Sequence, residues 1–432
     1  MAAACVKEVK MTRKVLAGML LLAVPLLLSA CRGFFTQAPV AVLDYTPKGT
    51  FEAPITVTFD LSGSQDPDGT IVAWTLDFGD GTTPASGTDV TVPVEHTYQA
   101  EGTYTVTLEV EDNAGKKDQA SLIITVAAPR VYFISDRFGG WTVFRVKLDA
   151  TEEEFIPTWM AEITPALRWN TRDKLAASLF DWGGGEWDLT VTDLTTFAGQ
   201  HLDTQTYSEI QPTWHYQEDK LAFASDQAGN WEIWTVEYPW GIGTAVSQLT
   251  VQTPYWALAP AYSPVSGDLV FVSSKGSGGP ANGGSALWIW YAGDPAPQLL
   301  HDSSGHDGAV DPGLGIVAGL PADGGLSTPA WSPDGRKIAY TSDRADGQGG
   351  LDIWIYDLDS GTAQNLNAFS GGTPNTAADE FDPWWVETGD AIAFVRDVGG
   401  GSYQVYLVEL DTGTVRQLSS AADSIAPARE EP

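Results

Sequence analysis

The sequence predicts an all-β protein, a β-sandwich followed by a six-bladed propeller, and three observations carry that reading. Glycine and proline are abundant, with 45 and 26 of 432 residues, while runs of helix formers are scarce. Residues 38–128 alternate with period two in short strands divided by Gly, Pro and Asp turns. From Val131 onward the chain repeats a strand pattern whose copies number six. The expected division is a leader over 1–30, a linker over 31–37, a sandwich over 38–128 and a propeller over 129–432.

Composition limits the function. The chain has 56 acidic against 23 basic residues, a formal charge of -33, which argues against nucleic acid as a partner. With 43% hydrophobic residues and 17 Trp it is no disordered polyanion.

The first thirty residues set Lys7, Lys10, Arg13 and Lys14 before an apolar run from Val15 to Leu28, then Ser29 and Ala30. This is the layout of a secretory leader, and the run is shorter than the roughly 20 residues that span a bilayer. An alternative start at Met11 leaves the reading unchanged. Leu28-Ser29-Ala30-Cys31 resembles the lipobox of bacterial lipoproteins. The resemblance implies cleavage before Cys31, lipidation of its sulfur and attachment to a membrane through that anchor. Arg32 in place of an Asp favours the outer membrane where a cell has two, and otherwise the outer face of the plasma membrane. Removing residues 1–30 leaves 19 basic against 55 acidic residues and no second cysteine for a disulfide.

In the sandwich, strands such as Ile55-Thr56-Val57-Thr58-Phe59 are joined by Asp66-Pro67-Asp68-Gly69 and Gly79-Asp80-Gly81 corners, where Asp bonds nearby amides and Gly supplies positive φ. In order come Ser62-Gly63-Ser64, Trp74, Asp77-Phe78-Gly79-Asp80-Gly81, His96-Thr97-Tyr98 and Val110-Glu111-Asp112. This series resembles the PKD domain, an immunoglobulin-like module. The resemblance implies a spacer or contact surface, with Trp74 between the sheets. Asp66, Asp68 and Asp80 also offer hard oxygen ligands suited to a divalent cation such as calcium; no other cofactor is expected.

The clearest propeller repeat is Thr328-Pro329-Ala330-Trp331-Ser332-Pro333-Asp334-Gly335, running on to Lys337-Ile338-Ala339-Tyr340 and Asp352-Ile353-Trp354. Other copies begin at Pro165, Pro212, Pro260 and Pro383. The interval to the next strand's first aliphatic residue is nine in four copies and ten in one. Third strands open at Thr142, Asp188, Glu232, Ala286, Asp352 and Gln404. The repeat at Val131 lacks its proline strand, and an orphan proline strand, Ser424-Ile425-Ala426-Pro427-Ala428, ends the chain. A closed ring in which the last strand completes the first blade explains both, and it removes the open edge. The pattern resembles the TolB-type propeller with WD40-like repeats, although a PKD-like module stands where TolB has its own N-terminal domain.

Successive strands of a blade run in opposite directions, so connections 1–2 and 3–4 share one face. The other connections share the opposite face and hold the long insertions, Lys275 to Gly284, Asp302 to Gly325, Ala345 to Gly350 and Asn367 to Ala378. That face is the expected binding face. It carries Trp141, Trp182, Trp187, Trp231 and Tyr403 near Asp136, Asp181 and Asp226. Rings beside carboxylates suit a sugar or peptide. Trp141, Trp187 and Trp231 share one repeat column, a placement that equally serves packing between blades, which leaves Trp182 the better ligand residue. His301, Asp302, His306, Asp307 and Asp311, in the longest insertion, have the residue types and spacing of a metal site. A flexible acidic loop is the plainer reading. His96 and His215 read as structural.

No G-x-S-x-G elbow, Walker loop or H-E-x-x-H is present in the processed chain. The expected function is a monomeric, lipid-anchored, non-catalytic platform for an envelope protein or polysaccharide. The competing expectation is a saccharide-active or metal-dependent propeller enzyme resembling the pectin-lyase relatives of the fold.

Overall fold

The computed structural model describes residues 36–46, 51–135, 142–156, 162–167, 174–180, 187–193, 198–202, 207–239, 244–252, 254–276, 279–280, 285–302, 307, 327–344, 346–348, 350–386, 388–399, 402–419 and 424–428. It divides into two compact units.

In the first unit, one sheet runs in the order Asp44–Thr46, Ile55–Asp60, Val94–Tyr98. The other includes Lys117–Ala127, Gly102–Asp112, Ile71–Asp77 and Ala85–Gly87 as successive neighbours. Period-two alternation sends Val57, Phe59, Leu76, Val106, Leu108 and Val110 into the core. Trp74 is buried as expected, and its Nε1 donates to the Asp89 carbonyl at 3.0 Å. The two glycine-rich and histidine motifs interlock. His96 stacks on Phe78 with ring centroids 3.8 Å apart, its Nε2 lies 2.7 Å from Asp80 Oδ2, and the buried Tyr98 hydroxyl donates to the Phe78 carbonyl at 3.0 Å. Gly79 is required between them, because its φ is +79° and a Cβ there would lie 2.4 Å from the Thr105 carbonyl oxygen.

The second unit contains six four-stranded antiparallel sheets among the described residues. Listed from the innermost strand outward, blade 2 is Glu162–Leu167, Lys174–Phe180, Trp187–Asp193 and Gly199–Leu202. Blade 3 is Glu209–Trp214, Lys220–Ser225, Glu232–Glu237 and Ser247–Gln248. Blade 4 is Ala257–Tyr262, Leu269–Ser273, Ala286–Trp290 and Gln298–His301. Blade 5 is Ala330–Trp331, Lys337–Ser342, Asp352–Asp357 and Thr362–Asn365, and blade 6 is Glu380–Trp385, Ala391–Gly399, Ser402–Glu409 and Val415–Gln417.

Blade 1 takes its three outer strands, Arg130–Ser135, Thr142–Lys147 and Glu154–Ile156, from the start of the repeat region, and its innermost strand, Ser424–Ala428, from the chain's end. The pairing is antiparallel, with Ser424 opposite Ser135 and Ala428 opposite Tyr132. Inner strands touch their neighbours all the way round the ring. Apolar contacts seal adjacent blades: Val131, Phe133 and Phe144 of blade 1 pack with Trp384, Ala393 and Val405 of blade 6. Blade 5 meets blade 6 through Ile353, Ile355, Trp385 and Phe394.

The recurring proline has a physical role. Register shifts interrupt the inner strands between Ile163 and Ala166, Ile210 and Thr213, Leu258 and Ala261, Phe381 and Trp384, and Ile425 and Pro427. A proline has no N–H to give the ladder, so a bulge is where a strand accepts one. The preceding residue turns left-handed, with φ of 54° at Gln211, 53° at Ala259 and 48° at Asp382. Such non-glycine conformations cost roughly 1–3 kcal/mol each and persist where packing overdetermines them. Here they direct side chains onto an adjacent blade: Gln211 Oε1 accepts from Ala259 N of blade 4 at 2.8 Å, and Asp382 Oδ1 from Thr328 N at the start of blade 5 at 3.2 Å.

The structure adds two elements to segments read as plain loops. Leu366–Ser370 is a short helix, N-capped by Asn365 Oδ1 and closed by Gly371 at φ 70°. Lys275–Gly276 and Gly279–Pro280 form a small hairpin.

Truncation after Ser420 removes the innermost strand of blade 1 and leaves the ladder edge of Arg130–Ser135 unpaired; the melting temperature is expected to fall by roughly 10 °C or more, and an unchanged melt contradicts ring closure. Burial pushes the Asp382 carboxyl up to about 7 against a lone opposing bond from the Thr328 amide. The native value lies above that of an unfolded Asp, so the contribution is complete below about pH 4 and is lost as pH rises toward 7. Asp382→Asn is expected to flatten the decline of melting temperature between pH 5 and 8 by about 3 °C or more; identical profiles for the two proteins overturn this assignment.

Candidate functional site

Antiparallel pairing places the starts of strands 1 and 3 of each blade on the face with the long connections. Acidic residues recur there and are buried: Glu209 and Glu232 in blade 3, Asp352 in blade 5 and Glu380 in blade 6. A polar side chain that bonds the backbone near the start of strand 3 recurs in blades 3, 5 and 6, and in blade 3 it also holds the acid. In blade 3 the Thr250 hydroxyl accepts from Ile233 N at 2.8 Å and donates to Glu232 Oε2 at 2.5 Å, while Gln252 N donates to Glu232 Oε1 at 2.7 Å. In blade 6 the Ser419 hydroxyl accepts from Val405 N at 3.1 Å and donates to Gln404 Oε1 at 2.7 Å. In blade 5 Asn375 brackets Ile353, its Oδ1 accepting from the amide at 3.0 Å and its Nδ2 donating to the carbonyl at 2.8 Å. A buried carboxylate needs such partners.

A cluster of charged groups lies between blades 5 and 6. Glu380 accepts from Thr376 N at 2.9 Å, from the Thr376 hydroxyl at 2.7 Å and from Arg396 Nε at 2.7 Å. The guanidinium of Arg396 lies 4.5 Å over the Tyr406 ring, a cation–π contact that fixes it. Asp352 accepts from Gln348 N, yet burial, joined by the charges of Glu380 and Asp379, pushes its carboxyl up to about 6. Glu380 is also raised, because burial outweighs its bonds to Thr376 and Arg396. These acids were missed by sequence reasoning, which concentrated on the long insertions. Glu232 and Asp352 open aligned third strands, and that column was the available signal.

The expected ligand residues are distributed as follows. Asp136, Trp141, Asp181 and Trp182 lie outside the described residues, as do Cys31, His306 and Asp311. Trp187 opens the third strand of blade 2, paired with Phe180. Trp231 is half-buried against the core shared by blades 3 to 5, which agrees with the packing role of its column. Asp226, just after strand 2 of blade 3, accepts from Ser208 N at the entry to strand 1 at 3.0 Å. Tyr403 is buried edge-on to Phe381, with centroids 5.6 Å apart.

His301, Asp302 and Asp307 are described. Asp307 is fully buried and bridged to blade 5, with its Oδ1 accepting from the Ser342 hydroxyl at 3.1 Å and its N donating to the Ser285 carbonyl at 3.1 Å. His301 Nε2 lies 3.9 Å from Asp307 Oδ2 and 3.5 Å from Arg344 Nη1, and the ring packs 5.3 Å from Tyr356 and 6.0 Å from Tyr340. Burial lowers the imidazole pKa against the pull of Asp307, and Arg344 lowers it further. Hydroxyl and imidazole both address the carboxylate, whereas an activated nucleophile needs the base beside the hydroxyl. Among the described residues no group of three or more His, Cys, Asp or Glu is arranged to hold a metal ion. In the sandwich, Asp66 Oδ1 accepts from Asp68 N at 3.2 Å and Asp80 is engaged by Thr82 and His96, which are turn and core roles. Burial acts upward on Asp80, but those bonds leave its carboxyl below the ordinary range.

Comparison with known proteins follows the division into units. Residues 36–126 match the PKD domain family model. A collagenase, ColQ1 of Bacillus cereus, is 44% identical over 70 residues, which are 16% of this chain and 7% of that protein. A microbial collagenase of Vibrio alginolyticus is 37% identical over 91 residues, 21% of this chain and 10% of that one. The chain thus spans a tenth or less of these relatives' length, and the likeness is confined to one domain. Among solved structures, TolB from Acinetobacter baumannii superposes with a TM-score of 0.51 at 14% identity, over 76% of this chain and 80% of that one. At that identity the likeness is one of fold. Residues 36–126 are a PKD domain, and the repeat region that follows folds as a propeller of the TolB type.

Proposed function

We propose that the protein is a lipid-anchored, non-catalytic binding protein of the bacterial cell envelope. Its propeller presents the long-loop face to a protein or polysaccharide, and the PKD domain acts as spacer. The observation that carries this reading is the asymmetry of the connections. Strands 1 and 2 of blade 3 are joined by residues 215–219 and strands 3 and 4 of blade 6 by 410–414, whereas residues 302–329 separate blades 4 and 5 and 366–379 separate blades 5 and 6. Extra chain on one face of a rigid ring is extra contact surface. The carboxylates carried by the long connections favour basic or cation-bearing ligands over phosphate-rich ones.

The anchor rests on the leader and Cys31. Cys31→Ser is expected to move the protein from the membrane pellet to the soluble fraction; retention in the pellet refutes lipidation. For the binding face, full-length protein is compared with a variant in which residues 303–325 are replaced by a short Gly-Ser linker. The two are tested against envelope extracts and a polysaccharide panel. A ligand is expected to be held by the parent and its retention reduced about tenfold in the variant. Equal retention by both, or depolymerisation of a polysaccharide by the purified protein, overturns it.

A further inference from the structure

Two connections of the long-loop face meet at the seam between blades 5 and 6, and both are fastened to acids. Asp352, 1% exposed, opens the third strand of blade 5, and its Oδ2 accepts from Gln348 N in the connection that precedes it. Gly347 is fitted over the same oxygen, because a Cβ there would overlap it. Asp379 Oδ1 accepts from Leu351 N at 2.8 Å, and a Cβ on Gly350, at φ 81°, would overlap that oxygen in turn. Glu380 N donates to the Leu351 carbonyl at 2.7 Å, while the Glu380 carboxylate holds Thr376 of the connection between the blades.

Asp352 is short of partners in this setting. Its Oδ1 has no hydrogen-bond partner and is closed to solvent. The nearby acids Glu380 and Asp379 carry charge of its own sign. The neighbouring cations are engaged elsewhere: Arg396 donates to Glu380 at 2.7 Å, and Arg344 at the end of strand 2 pairs with Asp346 at 3.1 Å. Ser342, opposite Asp352 in the ladder, gives its hydroxyl to Asp307, and Asp343 beyond it is exposed. Asp397 on strand 2 of blade 6 accepts from Gly399 N at 2.6 Å. The outer strand offers only the uncharged Asn365, and the helix Leu366–Ser370 has no titratable group. An ionised Asp352 is therefore a buried charge compensated chiefly by one amide, and such a group takes up a proton instead.

We propose that Asp352 is a proton-operated latch of the long-loop face, which seats Gln348 and Leu351 on the seam of blades 5 and 6 when protonated and loosens them when ionised. The proton resides on Oδ1, the oxygen without a partner, and Oδ2 keeps the Gln348 amide. Burial, joined by the like charges, puts this carboxyl at about 6. The native value lies above that of an opened or unfolded Asp, so the latch is fully set below about pH 4 and its hold is lost as pH rises through about 6. Glu380 is also displaced upward by burial and acts in the same sense. The face is thus tighter in acid and looser near neutrality, whatever ligand it takes, and the device stands apart from the function proposed above.

The test is amide hydrogen exchange of the full chain in detergent at about pH 5 and about pH 7.5, read as protection factors so that the intrinsic pH dependence of exchange divides out. Opening of the peptide 346–356 is expected to be about tenfold more frequent at the higher pH, the ratio set by a native Asp352 at about 6 and an opened one at about 3.9. Asp352→Asn, which keeps an acceptor for Gln348 N and cannot ionise, is expected to show a change below about threefold. Asp379→Asn removes one opposing charge, keeps an acceptor for Leu351 N and is expected to fall between the two; it tests the latch even where the first variant fails to fold. Asp382→Asn is expected to keep the full tenfold change. Absence of pH dependence in the parent, an unchanged ratio in Asp352→Asn or in Asp379→Asn, or loss of the change in Asp382→Asn overturns the proposal.

Discussion

Everything in the propeller depends on one antiparallel pairing, that of Ser424–Ala428 with Arg130–Ser135. A ring of sheets has no natural stop, and an unfinished blade presents a row of unpaired backbone groups together with an apolar face. By lending its last strand to its first blade the chain satisfies both at once. Blade 6 then finds a complete neighbour, and the contact of Trp384 and Ala393 with Val131 and Phe133 closes the circle. The strained residues of the inner strands make sense within that ring. Gln211 and Asp382 hold left-handed conformations because neighbouring blades fix them and their side chains return bonds to the adjacent inner strand.

Closure also decides where chemistry can lie. With the blades rigid, variation falls to the connections, and the two faces are unlike. One carries buried acids, Glu232 held by Thr250 and Gln252 N and Glu380 by Thr376 and Arg396, at the base of the long connections. The other carries the short turns, residues 215–219 and 410–414 among them. Glu232 and Glu380 are enclosed by hydrogen bonds and are structural. Asp390 and Asp411 stand in exposed surface turns.

Much of the architecture was legible in the sequence because it is periodic. The interval from each proline to the next aliphatic position fixed blade register, the six third strands fall where their apolar triplets indicated, and the orphan Ser424-Ile425-Ala426-Pro427-Ala428 identified the closing strand. The PKD motifs were readable because Asp80, His96 and Tyr98 serve one interlocked cluster. Site chemistry was less legible. The proline marked a bulge, but periodicity carries no information on the left-handed turn of Asp382, and the carboxyl's burial follows from a neighbouring blade 54 residues away in sequence. The unpartnered indole of Trp385 was invisible for the same reason, since its motif position matches that of Trp331 and only the surrounding blades differ. Trp231 shows the converse: a repeated aromatic column was sequence evidence for packing as much as for a ligand.

The closed ring is the claim on which both faces rest, and amide hydrogen exchange resolved by peptide tests it most directly. If the last strand completes blade 1, the amides of residues 424–428 exchange as slowly as those of the interior strand Lys220–Ser225 in blade 3, and residues 130–135 are protected with them. Exchange of 424–428 at the rate of an unpaired tail, with 130–135 exposed as an open edge, contradicts the account.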